Sequence, residues 1–277
     1  MFDKHNVGIF FSDSNAPVFY NSKLKNFVNI TASSYTDGAT LASYLLENYN
    51  FKKIAIFYQT EAFSEGEFNG AKDVLQKANL IEGKNWIAAF HAPNSININS
   101  AAQKIKNFNP QAILLLSLDI PTKALLQKLG TAFLFEKKLI GCPVLGTRRF
   151  QDYLKSKQLK CIYSQNFPSK NDTSIEIVKE LHELVNPNEI GLSCVQGFIV
   201  AKLFIYILGK IKGRITPKKI LEQAEKIKNL NFKGIEFNFN PKTRNLAKHI
   251  WLNVGQDKFI KKKIYKTNHE KISETTN

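Results

Sequence analysis

Acidic residues are scarce in this chain: 23 Asp and Glu stand against 39 Lys and Arg in 277 residues, a formal net charge of +16. Such an excess suits a nucleic-acid or acidic-membrane partner when it is clustered. Here the lysines are scattered, the pattern of a solvated surface. The one dense run is Lys258, Lys261, Lys262, Lys263 and Lys266, and no Cys/His finger spacing or RNA-binding aromatic motif accompanies it. No nucleic-acid partner is expected. Only three cysteines occur, Cys142, Cys161 and Cys194, widely spaced. That argues against a disulfide framework or a zinc site and fits reduced thiols packed as small hydrophobes. The five histidines are dispersed, with no HExxH arrangement, no Gly-x-Ser-x-Gly elbow and no phosphate-binding glycine loop. No catalytic activity, cofactor or metal is therefore expected. The start, Met1 to Asn6, has no apolar stretch of the secretory kind, so the chain as written is expected in the cytoplasm. The longest apolar run, Phe198 to Leu208, is short for a membrane span and contains Lys202.

Against these absences stands a regular alternation. Short apolar runs occur at Ile54–Tyr58, Trp86–Phe90, Ala112–Leu116, Lys138–Ile140 and Cys161–Tyr163. They are continuous rather than alternating, as strands read when a parallel sheet is covered on both faces. Helical stripes fill the gaps: Leu41, Tyr44 and Leu45 behind cap candidates Ser34 and Thr36; Ala71, Val74, Leu75 and Ala78; and a helix opened by Pro121 and ended by Gly130. The spacing predicts an α/β fold with a doubly wound parallel sheet over residues 31–190. Two helices then follow in succession, 192–211 and 217–228, with Thr216-Pro217 marking the start of the second, and strand-like runs come at 234–239 and 249–254. At the front, Val7 to Phe11 reads as a strand, and Pro17 sits where a helix would begin.

Open α/β sheets bind ligands at the carboxyl ends of their strands. The Ser12-Asp13-Ser14-Asn15 loop offers hydroxyls and an amide beside the expected helix start, where free N–H groups favour a carboxylate. Plain capping by Ser14 or Asn15 is the alternative. Phe63, in the loop after the 54–58 run, is either an apolar wall over a ligand or an inward-packed helix-start aromatic. Asp119 follows the third run, and Pro143 and Val144 follow the fourth.

Phe11 to Phe19, Ser33-Ser34-Tyr35-Thr36-Asp37-Gly38-Ala39, Lys53 to Tyr58 with Phe63-Ser64-Glu65-Gly66, Pro110 to Leu115 and Gln196 to Lys202 together resemble, in order and spacing, the leucine/isoleucine/valine-binding family of ABC-transporter receptors. The resemblance implies the two-lobed type I periplasmic-binding-protein fold, a first lobe lacking its opening βα units, a small ligand between lobes, and a membrane permease as partner. Its implied boundaries are 1–30 with 191–246 for the first lobe, 31–190 with 247–265 for the second, and 266–277 as a flexible tail. At about 30 residues per βα unit, roughly 100 residues would be missing from the first lobe. Self-association through that incomplete lobe is a further expectation.

Ser12, Ser14, Asn15, Phe63, Asp119 and Phe198 are the ligand-binding candidates; Ser14, Asn15 and Phe63 are expected in one cleft with Phe198 nearby. The implied ligand is an amino acid or related small polar solute. Three departures bear on it: Phe63 stands where many relatives carry Tyr, Ser64 where they carry Gly, and Pro143 or Val144 where amino-acid receptors carry an acid for the ligand's ammonium. A receptor remnant without present function and a cytoplasmic ligand sensor of the same fold are the alternative readings.

Overall fold

The apolar runs become strands because each is wide enough in β-branched and aromatic residues to be covered on both faces. A computed structural model describes residues 7–93, 95–255 and 258–264. These fall into two compact units, one formed by Asn166–Ile250 with the described residues up to Ser33, the other by Ser34–Gln165 with the described residues from Trp251.

The second unit is built on a seven-stranded sheet. Its parallel part comprises β3 (Ile54–Gln59), β4 (Trp86–His91), β5 (Ala112–Leu116), β6 (Lys138–Gly141) and β7 (Cys161–Gln165), in spatial order β4-β3-β5-β6-β7. All five expected strands are present, and they pair in parallel as expected. Between them lie α2 (Ala62–Lys77), α3 (Asn99–Phe108), α4 (Asp119–Leu129), α5 (Thr131–Leu134) and α6 (Arg148–Ser156), preceded by α1 (Ser34–Asn48). The step β3→β4 runs one way along the sheet and β4→β5 the other, so right-handed crossovers put α2 and α3 on opposite faces. The reversal makes the β3–β5 boundary a topological switch point. The helices α1 and α2 meet backbone to backbone. A methyl group on Gly38 would lie 1.9 Å from the Glu67 carbonyl oxygen, and one on Gly70 1.9 Å from that of Tyr35. Only glycine fits at either point.

Beyond β7 the sheet ends in two more strands. Trp251–Asn253 of β11 (His249–Asn253) pairs antiparallel with β7, and β12 (Phe259–Lys263) forms the edge. The dense basic run thus falls largely on an edge strand, where lysines discourage further strand pairing. Lys262 pairs there with Glu47 at 2.6 Å.

In the first unit, β1 (Ile9–Phe10) pairs in parallel with β2 (Phe27–Val28), and β8 (Leu230–Phe232), β9 (Ile235–Asn240) and β10 (Asn245–Ala247) form an antiparallel meander. An isolated bridge, Asn29 to Asn245, joins β2 to the meander. Arg244 secures this junction. Its buried guanidinium donates to the carbonyls of Phe27 (2.9 Å) and Lys25 (2.8 Å) and pairs with Glu225 at 2.6 Å. Helices α7 (Glu176–Leu184), α8 (Leu192–Gly209) and α9 (Pro217–Glu225) complete the unit. Thr216 caps α9 as its sequence suggests, accepting the Lys219 N–H at 3.3 Å.

Four expectations change. Residues 166–190, including α7, together with 31–33 and 247–250, group with the first unit and not with 34–165. Ser34 and Thr36 lie inside α1 and do not precede it. No α-helix follows the 12–15 loop, only a three-residue 3-10 turn at Pro17–Phe19. And α8 extends beyond the 198–208 run to 18 residues with mean hydropathy 1.8, long and apolar enough by composition alone to cross a membrane. Val195, Ile199, Leu203 and Ile207 form a buried stripe, and Lys202, midway along, pairs with Glu180 of α7. The tail at 266–277 lies outside the described residues.

Candidate ligand-binding site

Four of the five parallel strands of the second unit end their apolar runs on a polar residue: Gln59, His91, Ser117 after β5, and Gln165 behind Ser164. Such residues sit where the sheet stops and the loops begin. His91 stacks on Phe57 (5.1 Å between ring centres), with Nδ1 2.8 Å from the Ala92 carbonyl and Nε2 2.8 Å from Ser117 Oγ. A carbonyl can only accept, so Nδ1 carries the proton. Burial holds the ring's pKa below the ordinary value, so the imidazole is neutral and Nε2 accepts from Ser117. Beside it, the Gln59 side chain is buried, and neither its amide oxygen nor its nitrogen has a partner among the described residues.

Two loops flank the switch point. After β3, Glu61 leads into α2, where Phe63 is half-buried and Ser64 fully buried. The Ser64 hydroxyl accepts the Gln59 N–H at 2.9 Å and donates to the Leu116 carbonyl, joining α2, β3 and β5. After β5, Asp119 opens α4. Its carboxylate is held by Arg149 and lies 3.8 Å from Lys123. The sequence candidates Phe63 and Asp119 therefore share the carboxyl edge of one sheet, at the two strands of the switch point. Phe63 is half-buried there, and the charge of Asp119 is already matched. Past β6, Pro143 and Val144 form a 3-10 turn, with no carboxylate at that position.

In the first unit, Ser12, Ser14 and Asn15 follow β1. Ser12 Oγ accepts the Ser14 N–H at 3.2 Å, and Asp13 Oδ1 accepts from Gln196 Nε2 at 2.8 Å. That bond draws the loop to α8 two residues before Phe198, which is half-buried under Lys202 Nζ (5.3 Å from the ring centre). The structure thus groups Ser12, Ser14 and Asn15 with the start of α8. Neither Ser14 nor Asn15 caps a helix, and no α-helix N-terminus faces a ligand here; the cap residue of the short turn is Ala16.

Sequence reasoning missed Gln59, His91 and Ser117. The signal was present: each is the first polar residue after an apolar run, and such positions fall at the carboxyl edge of a parallel sheet. Among the described residues, no group of three or more His, Cys, Asp or Glu is arranged to hold a metal ion.

A family model described as "Periplasmic binding protein" matches residues 2–252. No curated protein matches the chain in sequence. Among solved structures, the chain is similar to a possible leucine/isoleucine/valine-binding protein from Rhodopirellula baltica (15% identity, TM-score 0.78, 94% of this chain and 72% of that one). A branched-chain amino acid ABC transporter protein from Thermus thermophilus with bound valine aligns with 9% identity and a TM-score of 0.75, over 99% of this chain and 76% of that one. A solute-binding protein of an ABC transporter from Rhodopseudomonas palustris, in complex with p-hydroxybenzoic acid, aligns with 14% identity and a TM-score of 0.71, over 95% and 72%.

Proposed function

Since the chain belongs to the periplasmic binding protein family, we propose that it is the substrate-binding component of an ABC-type importer for an amino acid or related small polar solute. The family binds solutes and does not transform them, and its members serve membrane permeases; a permease is the partner this reading assigns. The observation that carries it is the polar edge at the β3–β5 switch point, where the buried Gln59 amide has unused hydrogen-bonding capacity beside half-buried Phe63. An unsatisfied buried amide costs about 1–3 kcal/mol, a cost that a polar ligand group would relieve. Ser12, Ser14 and Asn15 are the corresponding candidates on the first unit, with Phe198.

The ligand's chemistry is constrained by charge. A buried α-ammonium needs a carboxylate. Pro143 and Val144 supply none, and Asp119 is already paired with Arg149. A carboxylate or neutral solute with an apolar body suits this edge better than a zwitterion. Thermal-shift titration of the purified chain with valine, leucine and p-hydroxybenzoate tests this. The reading expects a saturable rise in Tm with p-hydroxybenzoate exceeding that with either amino acid. A larger rise with valine or leucine would contradict the charge argument, and no rise with any of the three would contradict the solute-binding reading at this edge.

A further inference from the structure

Away from the ligand edge, α1 and α2 bury two carboxyl groups against each other. Asp37, in the first turn of α1, and Glu67, in the middle of α2, are both almost wholly enclosed. Asp37 Oδ2 accepts from Ser164 Oγ at 3.0 Å, while Asp37 Oδ1 and Glu67 Oε2 have no partner among the described residues. The groups acting on the pair are neutral: Ser164 from β7, and the Cys142 thiol from the turn after β6, which hydrogen-bonds Glu67. Cys142 itself is buried, and its thiol lies within reach of the Ser117 carbonyl (3.6 Å). The charged group Asp73, on the same pair of helices, is engaged by the Tyr35 hydroxyl. The helices cannot spread to relieve the pair without losing their backbone contact at Gly38 and Gly70.

The pair also sits at a particular place in the chain. The polypeptide passes between the two units at Ser33–Ser34, Gln165–Asn166 and Ile250–Trp251. Asp37 is one helical turn past the first crossing, and its partner Ser164 is two residues before the second. Their hydrogen bond fastens two of the three crossing segments together inside the second unit. The third is fastened to the same strand, since Trp251 pairs with Gln165.

We propose that the Asp37–Glu67 pair is a proton-held latch that fixes the crossing segments: with both carboxyls protonated the enclosed pair is closed, and ionisation of the pair, which has no counter-charge there, loosens the start of α1 and the end of β7. Two carboxylates enclosed together cannot both ionise without a counter-charge. Burial pushes Asp37 up to about 7, and Glu67 rises well above the ordinary carboxylate range through burial and then the charge of Asp37. The pair therefore holds protons at a pH where exposed carboxyls have released theirs. Since folded values lie above unfolded ones near 4, the latch contributes fully at acid pH. Its contribution is lost as pH rises from about 4 through about 7.

The test is amide hydrogen exchange of the intact chain between pH 5 and 8, corrected for intrinsic base catalysis, with urea melts at each pH. The latch predicts that protection at 34–40 and 161–165 falls with rising pH while that of α3 in the same unit does not. It also predicts that the folding constant falls with rising pH by up to about tenfold per pH unit for each proton that the folded pair keeps and the unfolded chain has released. In Glu67→Gln the local pH dependence should flatten. Should that variant fail to fold, infrared spectroscopy of the wild type supplies the second reading: a protonated carboxyl band must persist at pH 6. Equal loss of protection in α3, a pH slope unchanged in Glu67→Gln, or no protonated carboxyl at pH 6 overturns the proposal. None of these outcomes depends on a ligand, so they are separate from the solute-binding reading.

Discussion

The Ser64 hydroxyl donates to the carbonyl of Leu116, the last residue of β5, while accepting the N–H of Gln59, the last residue of β3, at 2.9 Å. One side chain thus closes the ends of both switch-point strands and sets the height at which α2 begins. Ser64→Ala leaves a buried carbonyl and a buried N–H without that partner. A loss of about 1–3 kcal/mol in a urea melt is expected, with a further loss of affinity because Gln59 and Phe63 lose their common anchor. A stability within a few tenths of wild type would show that the staple is not needed.

Arg244 occupies the left-handed backbone region (φ 56°), where glycine would sit without strain. An arginine held there indicates that its side chain is required. Arg244→Gly relieves the backbone but removes the bonds to Phe27, Lys25 and Glu225. We expect the variant to be destabilised by about 1–3 kcal/mol, as for buried carbonyls left without their donor, with the change confined to the first unit in hydrogen exchange. A neutral or stabilising effect would mean that strain relief outweighs the clamp.

The helix α8 fully buries one stripe, and part of its remaining apolar surface is open. Ile205 is 64% exposed, and Phe198, Val200 and Leu208 are half-exposed. An uncovered apolar face promotes self-association and dye binding. Ile205→Lys should reduce both in light scattering and dye-fluorescence assays at little cost in stability. A wild-type chain that is monomeric at high concentration and dark to the dye would contradict this.

The parallel sheet was legible because its strands are buried on both faces and their apolar runs are continuous. The helix ends with Pro and Gly at their termini, at Thr216-Pro217 and Gly130, were legible for the same local reasons. What failed depended on packing that no local pattern encodes. The placement of α7 is set by the company its apolar face keeps, not by its own sequence. The loop at 12–15 looked like a helix start because Pro17 followed it, yet the turn stops at Phe19. Of the candidate site, the positions of Phe63 and Asp119 after strand ends were legible because carboxyl-end loops can be located from strand positions. The pairing of Asp119 with Arg149 spans 30 residues and was not visible. The burial of Asp37 with Glu67 depends on two glycines letting helices touch, which a reading of either helix alone does not reveal.

The central claim is that this chain binds a small solute at the β3–β5 edge, and calorimetric titration of wild type and Phe63→Ala with p-hydroxybenzoate tests it most directly. Phe63 is half-buried and not part of the core, so its truncation should spare the fold while removing apolar contact with the ligand. The account predicts saturable one-to-one binding to the wild type, and a loss of about 1–3 kcal/mol in the variant with an unchanged urea midpoint. Equal affinity in both proteins would remove Phe63 from the site, and the absence of binding heat in the wild type would contradict the claim itself.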